Sequence, residues 1–367
     1  MFRHCLRHML PAALMLIAMT GIAAAEPPAI KTGFIFTTHH SPFLVAASRG
    51  EAFKDFGVYL KPIVERESYE LIKDGKSVAI LDLVVSKSGS ETATLFAQKH
   101  LDMGIASITA IMAGIDKGTP MKIVCPLQTE GMALVVPRNS SLSDWNSLTQ
   151  HIRKAEEPVK IGFHSPTSAP KIVLEGALLQ AGFKVTLDPS DTSADVLLVD
   201  LKETSNLLAA LSAGQTEAVV GPSPFPEVAQ TRGIGKVLVN LGDLPPAGQW
   251  KDFPCCVGVA SDDMRQKHPD IVAAFVDLIR RANAWCNEHP GEAGEIAASW
   301  IGLPPEAGRK STLVFVNDFN KNWLRGAGAY LDILNRMHKF NGSLKDKNID
   351  QAKPLLIDDS FLNAPAS

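Results

Sequence analysis

Apolar positions along the chain fall into two alternating patterns. Short runs dense in Val, Ile, Leu and Phe read as strands: Ile30–Thr37, Val58–Val64, Leu81–Ser86, Met121–Cys125 and Met132–Val136. Between them, apolar residues recur at helical spacing, as in Phe43–Phe53 (stopping near Gly57) and Ile108–Asp116. The alternation restarts after the polar stretch Arg138–Ser143, with strands at Val159–Phe163, Val196–Leu201 and Lys236–Asn240 and helices near Pro170–Gln180 and Asn206–Leu211. From Pro269 the pattern is helical, over Pro269–Glu288, Glu292–Trp300 and roughly Asn317–Phe340. Strands alternating with helices predict an α/β fold.

Two stretches match. Gln98–Ser107 (QKHLDMGIAS) and Ala213–Pro222 (AGQTEAVVGP) each follow an apolar helical run, close it with a polar turn, and place an acid (Asp102, Glu217) before a small-residue strand. Two copies of a helix–turn–acid–strand unit predict two similar α/β lobes rather than one sheet. The polar reset after Pro137 and the Pro/Gly-rich stretch Gly242–Pro254 mark two crossings, near Val135–Ser140 and Phe253–Val257. The expected division is a discontinuous first lobe, 26–138 plus 255–367, and a second lobe, 139–254.

Residues 1–25 stand apart. Arg3 and Arg7 precede an apolar run to Ala25, and Ala23-Ala24-Ala25 offers small residues before Glu26, the pattern of a secretory signal peptide cleaved near Ala25. Loss of Arg3 and Arg7 with it leaves 34 basic against 39 acidic residues, from 36 and 39 in the whole chain. An acidic balance without a basic stripe argues against nucleic-acid binding. Cys125, Cys255, Cys256 and Cys286 remain in the exported chain; four thiols make no disulfide scaffold at this length, and buried thiols are the expectation, with a bridge from Cys286 to one of the pair left open.

Common catalytic signatures are missing: no GxGxxG, GxSxG, HExxH or CxxC occurs, and Asp74-Gly75-Lys76-Ser77 lacks the upstream glycine of a phosphate loop. No catalytic residue, cofactor or metal is therefore expected. Ligands of open α/β sheets sit beyond the carboxyl ends of strands. The loops there are rich in hydroxyls: Thr37, Thr38 and Ser41; Ser86, Ser88 and Ser90; Ser107 and Thr109; Ser165, Thr167 and Ser168; Ser223. Hydroxyls beside the free N–H groups of helix starts suit a small anion or zwitterion, although the same residues cap helices in any protein. His39 and His40 lie on the first of these turns, where both side chains can face a ligand. Lys87, His164 and Lys171 would add positive charge and Glu130 and Glu203 would suit an amine, so the ligand's charge stays open.

In the order of its elements the chain resembles the extracytoplasmic solute-binding proteins of ABC importers, in the group handling nitrate, taurine, aliphatic sulfonates and thiamine-pyrimidine precursors. The resemblance rests on FLVAASRGEAFKDFGVYLKPI, QKHLDMGIASITAIMAGIDKGTPMKIV, VKIGFHSPTSAPKIVLEGALLQAGF, LLAALSAGQTEAVVGPSPFPEVAQTRG, the run from Cys255 to Pro290 and the tail LIDDSFLNA. It implies a type II periplasmic-binding-protein fold, α/β, with two lobes, two hinge crossovers and C-terminal helices. It further implies a monomeric periplasmic protein that closes on a small ligand and presents it to permease subunits. Ligand contacts implied by the resemblance are Thr38, His39, His40, Ser88, Gly89, Ser90, Ser107, Thr109, Ser165, Thr167, Ser168, Pro222 and Ser223. No arginine diagnostic of a sulfonate or nitrate stands in those loops. Two other classes stay open: a ligand-sensing module for a receptor, and an enzyme like the cytoplasmic relatives that synthesise the thiamine pyrimidine with a histidine and a cysteine-rich run, of which Cys255-Cys256 is only a doublet.

Overall fold

The computed structural model describes residues 26–311 and 313–363; the segment 1–25, expected from the sequence to be a signal peptide, lies outside them. In chain order the strands are β1 (Ala29–Ile35), β2 (Val58–Val64), β3 (Ser68–Lys73), β4 (Lys76–Ser86), β5 (Met103–Ser107), β6 (Met121–Glu130), β7 (Met132–Pro137), β8 (Val159–Phe163), β9 (Val185–Thr186), β10 (Val196–Asp200), β11 (Ala218–Pro222), β12 (Gly235–Asn240), β13 (Pro254–Ser261) and β14 (Leu313–Phe315). They form two sheets, ordered β14-β6-β13-β5-β1-β4-β3-β2 and β12-β7-β11-β8-β10-β9. In each, a parallel trio (β5-β1-β4; β11-β8-β10) is flanked by one antiparallel strand beside the first member, β13 or β7.

The helices that connect or cover them are α1 (Ser41–Arg49), α2 (Gly89–Ala97), α3 (Ile108–Asp116), α4 (Trp145–Lys154), α5 (Ala169–Gln180), α6 (Asn206–Ser212), α7 (Phe225–Thr231), α8 (Asp262–Lys267), α9 (Pro269–Glu288), α10 (Pro290–Trp300), α11 (Pro305–Arg309), α12 (Lys321–Arg336) and α13 (Ile349–Leu356). Asp144 starts α4 with a reciprocal capping box to Ser147, and Asn348 does the same for α13 through Gln351. β5 and β11, the first members of the two trios, are buried at every residue, which is why their sequences carry no polar alternation.

The chain leaves the first sheet at Gly131, between β6 and β7, and returns between Asn240 and Pro254. The first crossing thus comes earlier than the expected 138: β7 pairs with β11 and β12, so it belongs to the second sheet. Gly131 turns the chain with φ of 73°, and a Cβ there would lie 2.1 Å from Leu313 Cδ2, so only glycine fits. The return loop buries Trp250 and Phe253 against Tyr330 of α12, whose hydroxyl donates to the Pro254 carbonyl at 2.9 Å. C-terminal elements reach the second lobe, since Ile333 of α12 packs on Gly176 of α5 and Ala307 of α11 joins the core around Leu207 and Val228.

Candidate functional site

The carboxyl ends of the two parallel trios face each other, and hydrogen bonds join them. The Ser90 hydroxyl lies 2.7 Å from both Ser165 Oγ and Thr167 Oγ1. Thr109 Oγ1 donates to the Thr167 carbonyl at 2.6 Å, and Thr37 Oγ1 donates to the Ser223 carbonyl at 2.7 Å. Each of these bonds spans the two lobes, so this is a closed arrangement. Between the lobes remains a cavity of about 30 Å³, room for roughly two water-sized groups.

Of the residues expected at the site, His39, His40, Ser88, Gly89, Ser107, Ser168 and Pro222 line this cavity. Ser90, Thr109, Ser165 and Thr167 instead form the seam that holds the lobes together. Thr38, also buried, does not line the cavity and places its hydroxyl 3.3 Å from Ser311 Oγ, and the Ser223 hydroxyl donates to Glu227 Oε1 at 2.7 Å. Capping accounts for only part of the hydroxyl pattern. Ser88 caps α2, accepting from the Glu91 N–H at 3.3 Å, whereas Ser107 and Ser168 make no side-chain cap. The starts of α2 and α5, at Gly89 and Ala169, both reach the cavity wall, where their unpaired N–H groups offer positive potential.

The charged candidates lie elsewhere. Lys171 is buried in an ion pair with Glu175 one turn along α5, Glu130 accepts the Asp252 N–H, and Lys87 pairs with Glu203 across the lobes at 3.4 Å. Among the described residues, no Lys, Arg, Asp or Glu lines the small cavity. His164 does, although it stood in the sequence only as a source of charge: burial, with His39 nearby, lowers its pKa to about 4, so at neutral pH it is uncharged. Lys87 and Glu203 edge a second, largely apolar cavity of about 510 Å³ that shares Ile35 and Thr204 with the first.

His39 and His40 are fully buried rather than loop histidines in solvent, because the Thr38–His40 turn is pinned under the return strand β13. His40 Nδ1 accepts from the Ile35 N–H at 3.1 Å, and burial pushes its pKa down to about 3. His39 Nε2 donates to the Gly131 carbonyl at 2.7 Å, and Nδ1 lies 3.3 Å from Cys255 Sγ. Burial opposes charge on His39, yet Cys255, the Gly131 carbonyl and Glu227 hold its pKa above the ordinary value. For Cys255 burial again opposes ionisation, but Cys256, His39 and Gln128 bring the thiol down to about 6. Cys255 and Cys256 both line the cavity, a role that the sequence reading of them as buried strand thiols missed. All four described cysteines are buried thiols. No helix among the described residues is long and apolar enough to cross a membrane.

Three solved structures share the fold. A ligand-binding component of an ABC-type import system from Staphylococcus aureus, with zinc bound, superposes with a TM-score of 0.67 at 17% identity, over 93% of this chain and 99% of that one. The alkanesulfonate-binding protein SsuA from Xanthomonas axonopodis pv. citri, bound to MOPS, gives 0.65 at 15% identity over 92% and 100%. The periplasmic nitrate-binding protein NrtA from Synechocystis PCC 6803 gives 0.64 at 16% identity over 92% and 87%. In sequence, an uncharacterized protein of Methanocaldococcus jannaschii is 32% identical over 116 residues, 31% of this chain and 80% of that protein. The model of the NMT1-like family matches residues 23–302. The two-lobed α/β body is a periplasmic-binding-protein fold, and the chain belongs to the NMT1-like family.

Proposed function

We propose that the chain is an extracytoplasmic solute-binding protein that captures a small polar ligand, anionic or zwitterionic, between its lobes and delivers it to the permease of an ABC importer. The observation that carries this reading is the small cavity walled by both lobes, with helix starts and hydroxyls from each and a hydrogen-bonded seam beside it. Hinge closure around a solute needs this geometry: contacts from both sides that form only when the lobes meet. The solved relatives named for import, nitrate and alkanesulfonate support the class of cargo. In this reading Ser88, Gly89, Ser107 and Ser168 bind the solute, His39, His40 and Pro222 shape its pocket, and Ser90, Thr109, Ser165, Thr167 and Ser223 secure closure. Thr38 then steadies the turn through Ser311. Residues 1–25 direct export to the periplasm, and the mature protein acts as a monomer without catalysis.

Neutral walls select by hydrogen-bond geometry and size rather than by a salt bridge. A neutral hydrogen bond contributes about 0.5–1.5 kcal/mol and one to a charged group about 1.5–3, so capture rests on many modest bonds acting together rather than on one dominant charge pair. As the lobes stand the cavity holds only about two water-sized groups, so a bound solute must hold them further apart. Calorimetry of the mature protein with nitrate, taurine, a short alkanesulfonate and a pyrimidine precursor, at matched ionic strength, tests the reading. One saturable site for a member of that set is expected; absence of heat and of thermal stabilisation with all four would overturn the cargo class.

A further inference from the structure

The first crossing, at Gly131, and the start of β13 bring three metal-ligating side chains together beneath the cavity. A ring nitrogen of His39, Cys255 Sγ and Cys256 Sγ all lie within 4.8 Å of one another, and all three residues are buried. Neighbouring residues on a regular strand point to opposite faces, which would keep Cys255 and Cys256 apart. Here the register of β13 against β6 slips between Pro254 and Cys256 and again between Cys256 and Val257. The irregularity re-aims one side chain, and the two sulfurs lie 3.8 Å apart.

That spacing is the one a metal requires. Bonds of about 2.3 Å to sulfur and 2.0–2.1 Å to nitrogen, at tetrahedral angles, separate two sulfurs by about 3.8 Å and sulfur from nitrogen by about 3.5 Å. Nδ1 stands 3.3 Å from Cys255 Sγ. The imidazole is also held as metal-binding histidines are, with its other ring nitrogen donating to a backbone carbonyl, that of Gly131 at 2.7 Å. Gln128 braces the opposite side by accepting the Cys256 N–H at 3.2 Å.

We propose that His39 Nδ1, Cys255 Sγ and Cys256 Sγ bind one thiophilic d10 cation, Zn(II) or Cu(I). Two sulfurs and an imidazole are the donor set such ions select. Three protein ligands leave a fourth position for Zn(II), and His39, Cys255 and Cys256 all line the cavity that Ser88, Ser107 and Ser168 also line. Cu(I) would be satisfied by three ligands. Binding displaces the Cys256 thiol proton and the single proton shared between His39 Nδ1 and Cys255 Sγ, and both are released to solvent. The inference concerns the metal alone and stands whether or not a solute binds above it.

The test uses the reduced mature protein and the ions alone, Zn(II) in one arm and Cu(I) in the other, each competed against a chromophoric chelator. One equivalent of at least one ion is expected to bind, and the arm with the tighter binding identifies the cation. Cys255→Ser and Cys256→Ser should each weaken binding more than about 100-fold, beyond what losing an outer-shell partner costs, while Cys125→Ala and Cys286→Ala bind as the parent. Should a serine variant fail to fold, X-ray absorption of the loaded parent protein decides: two sulfurs and one nitrogen around the ion support the site, and no sulfur overturns it. Binding of neither ion, or equal binding by the folded serine variants, also overturns it.

Discussion

The two matched units, one in each lobe, are built alike down to single hydrogen bonds. Asp102 accepts the Lys31 N–H of β1 at 2.9 Å and donates its own N–H to the Lys31 carbonyl; Glu217 does the same with Lys160 of β8, at 3.3 Å for the side-chain bond. Two residues beyond each lysine comes a glycine, Gly33 or Gly162, whose missing side chain makes room for the residue before the acid, Leu101 or Thr216. The units part at the next position. In the first lobe Gly33 faces Gly104, whereas in the second Gly162 faces Val219. A Cβ on Gly104 would stand 2.6 Å from the Gly33 carbonyl, so this position of the first lobe has no room for the side chain that Val219 carries in the second. One repeated unit thus serves two ends, a tightly packed wall in the first lobe and a roomier one in the second.

The largest expected effect breaks that asymmetry. Gly104→Val copies the second lobe's residue into the first, and the backbone clash should destabilise by about 3 kcal/mol or more. The conservative reverse, Val219→Ala, should lower stability by about 1–2 kcal/mol through lost burial alone. Denaturant titration of both variants measures the contrast, and equal losses would mean that the lobes do not differ here.

Next comes pH. His164 of the second lobe faces His39 of the first, with Asp200 the charge that favours its protonation, and its Nδ1 has no hydrogen-bond partner. A folded pKa of about 4 lies below the ordinary 6.5, so the unfolded chain takes up the proton first. This residue's contribution is complete above about pH 6.5 and is lost as pH falls to about 4, by roughly 3 kcal/mol. In melting curves across that window, His164→Gln should flatten the slope; an unchanged slope refutes the assignment.

The seam comes third. Ser90→Ala removes the hydroxyl between Ser165 and Thr167 and should weaken solute binding by roughly tenfold, or 1.4 kcal/mol, with little change in the melting temperature of the solute-free protein. A lower melting temperature at unchanged affinity would make Ser90 structural only. Smallest are the matched acids. Asp102→Ala should destabilise by about 1 kcal/mol and the more exposed Glu217→Ala by about half of that, because the shorter, less exposed bond of the first lobe is less screened; the reverse order would contradict the parallel between the units.

Those units were legible in the sequence because a local rule governs them: helix, turn, acid and strand follow one another within a few residues. The hydroxyl loops were legible for the same reason, each ending a strand and all but Ser223 opening an expected helix. What depends on distant pairing was not. β3, whose sequence SYELIK mixes polar and apolar residues, owes its strand to the hairpins it makes with β2 and β4. The pairing of β7 with β11 and β12 decided its lobe, not the polar break that follows it. Cys255 and Cys256 read as ordinary strand thiols because a bulge leaves no mark in composition, and Lys171, which looked available to a ligand, is held by its own helix.

Capture of a small solute between the lobes is the central claim, and native mass spectrometry of the mature protein, purified from its own host under non-denaturing conditions, tests it most directly. One small molecule per chain is expected, released on denaturation and depleted in the Ser88→Ala, Ser168→Ala double variant. A bare protein mass that no candidate solute increases, or an adduct that the double variant retains in full, would contradict the claim.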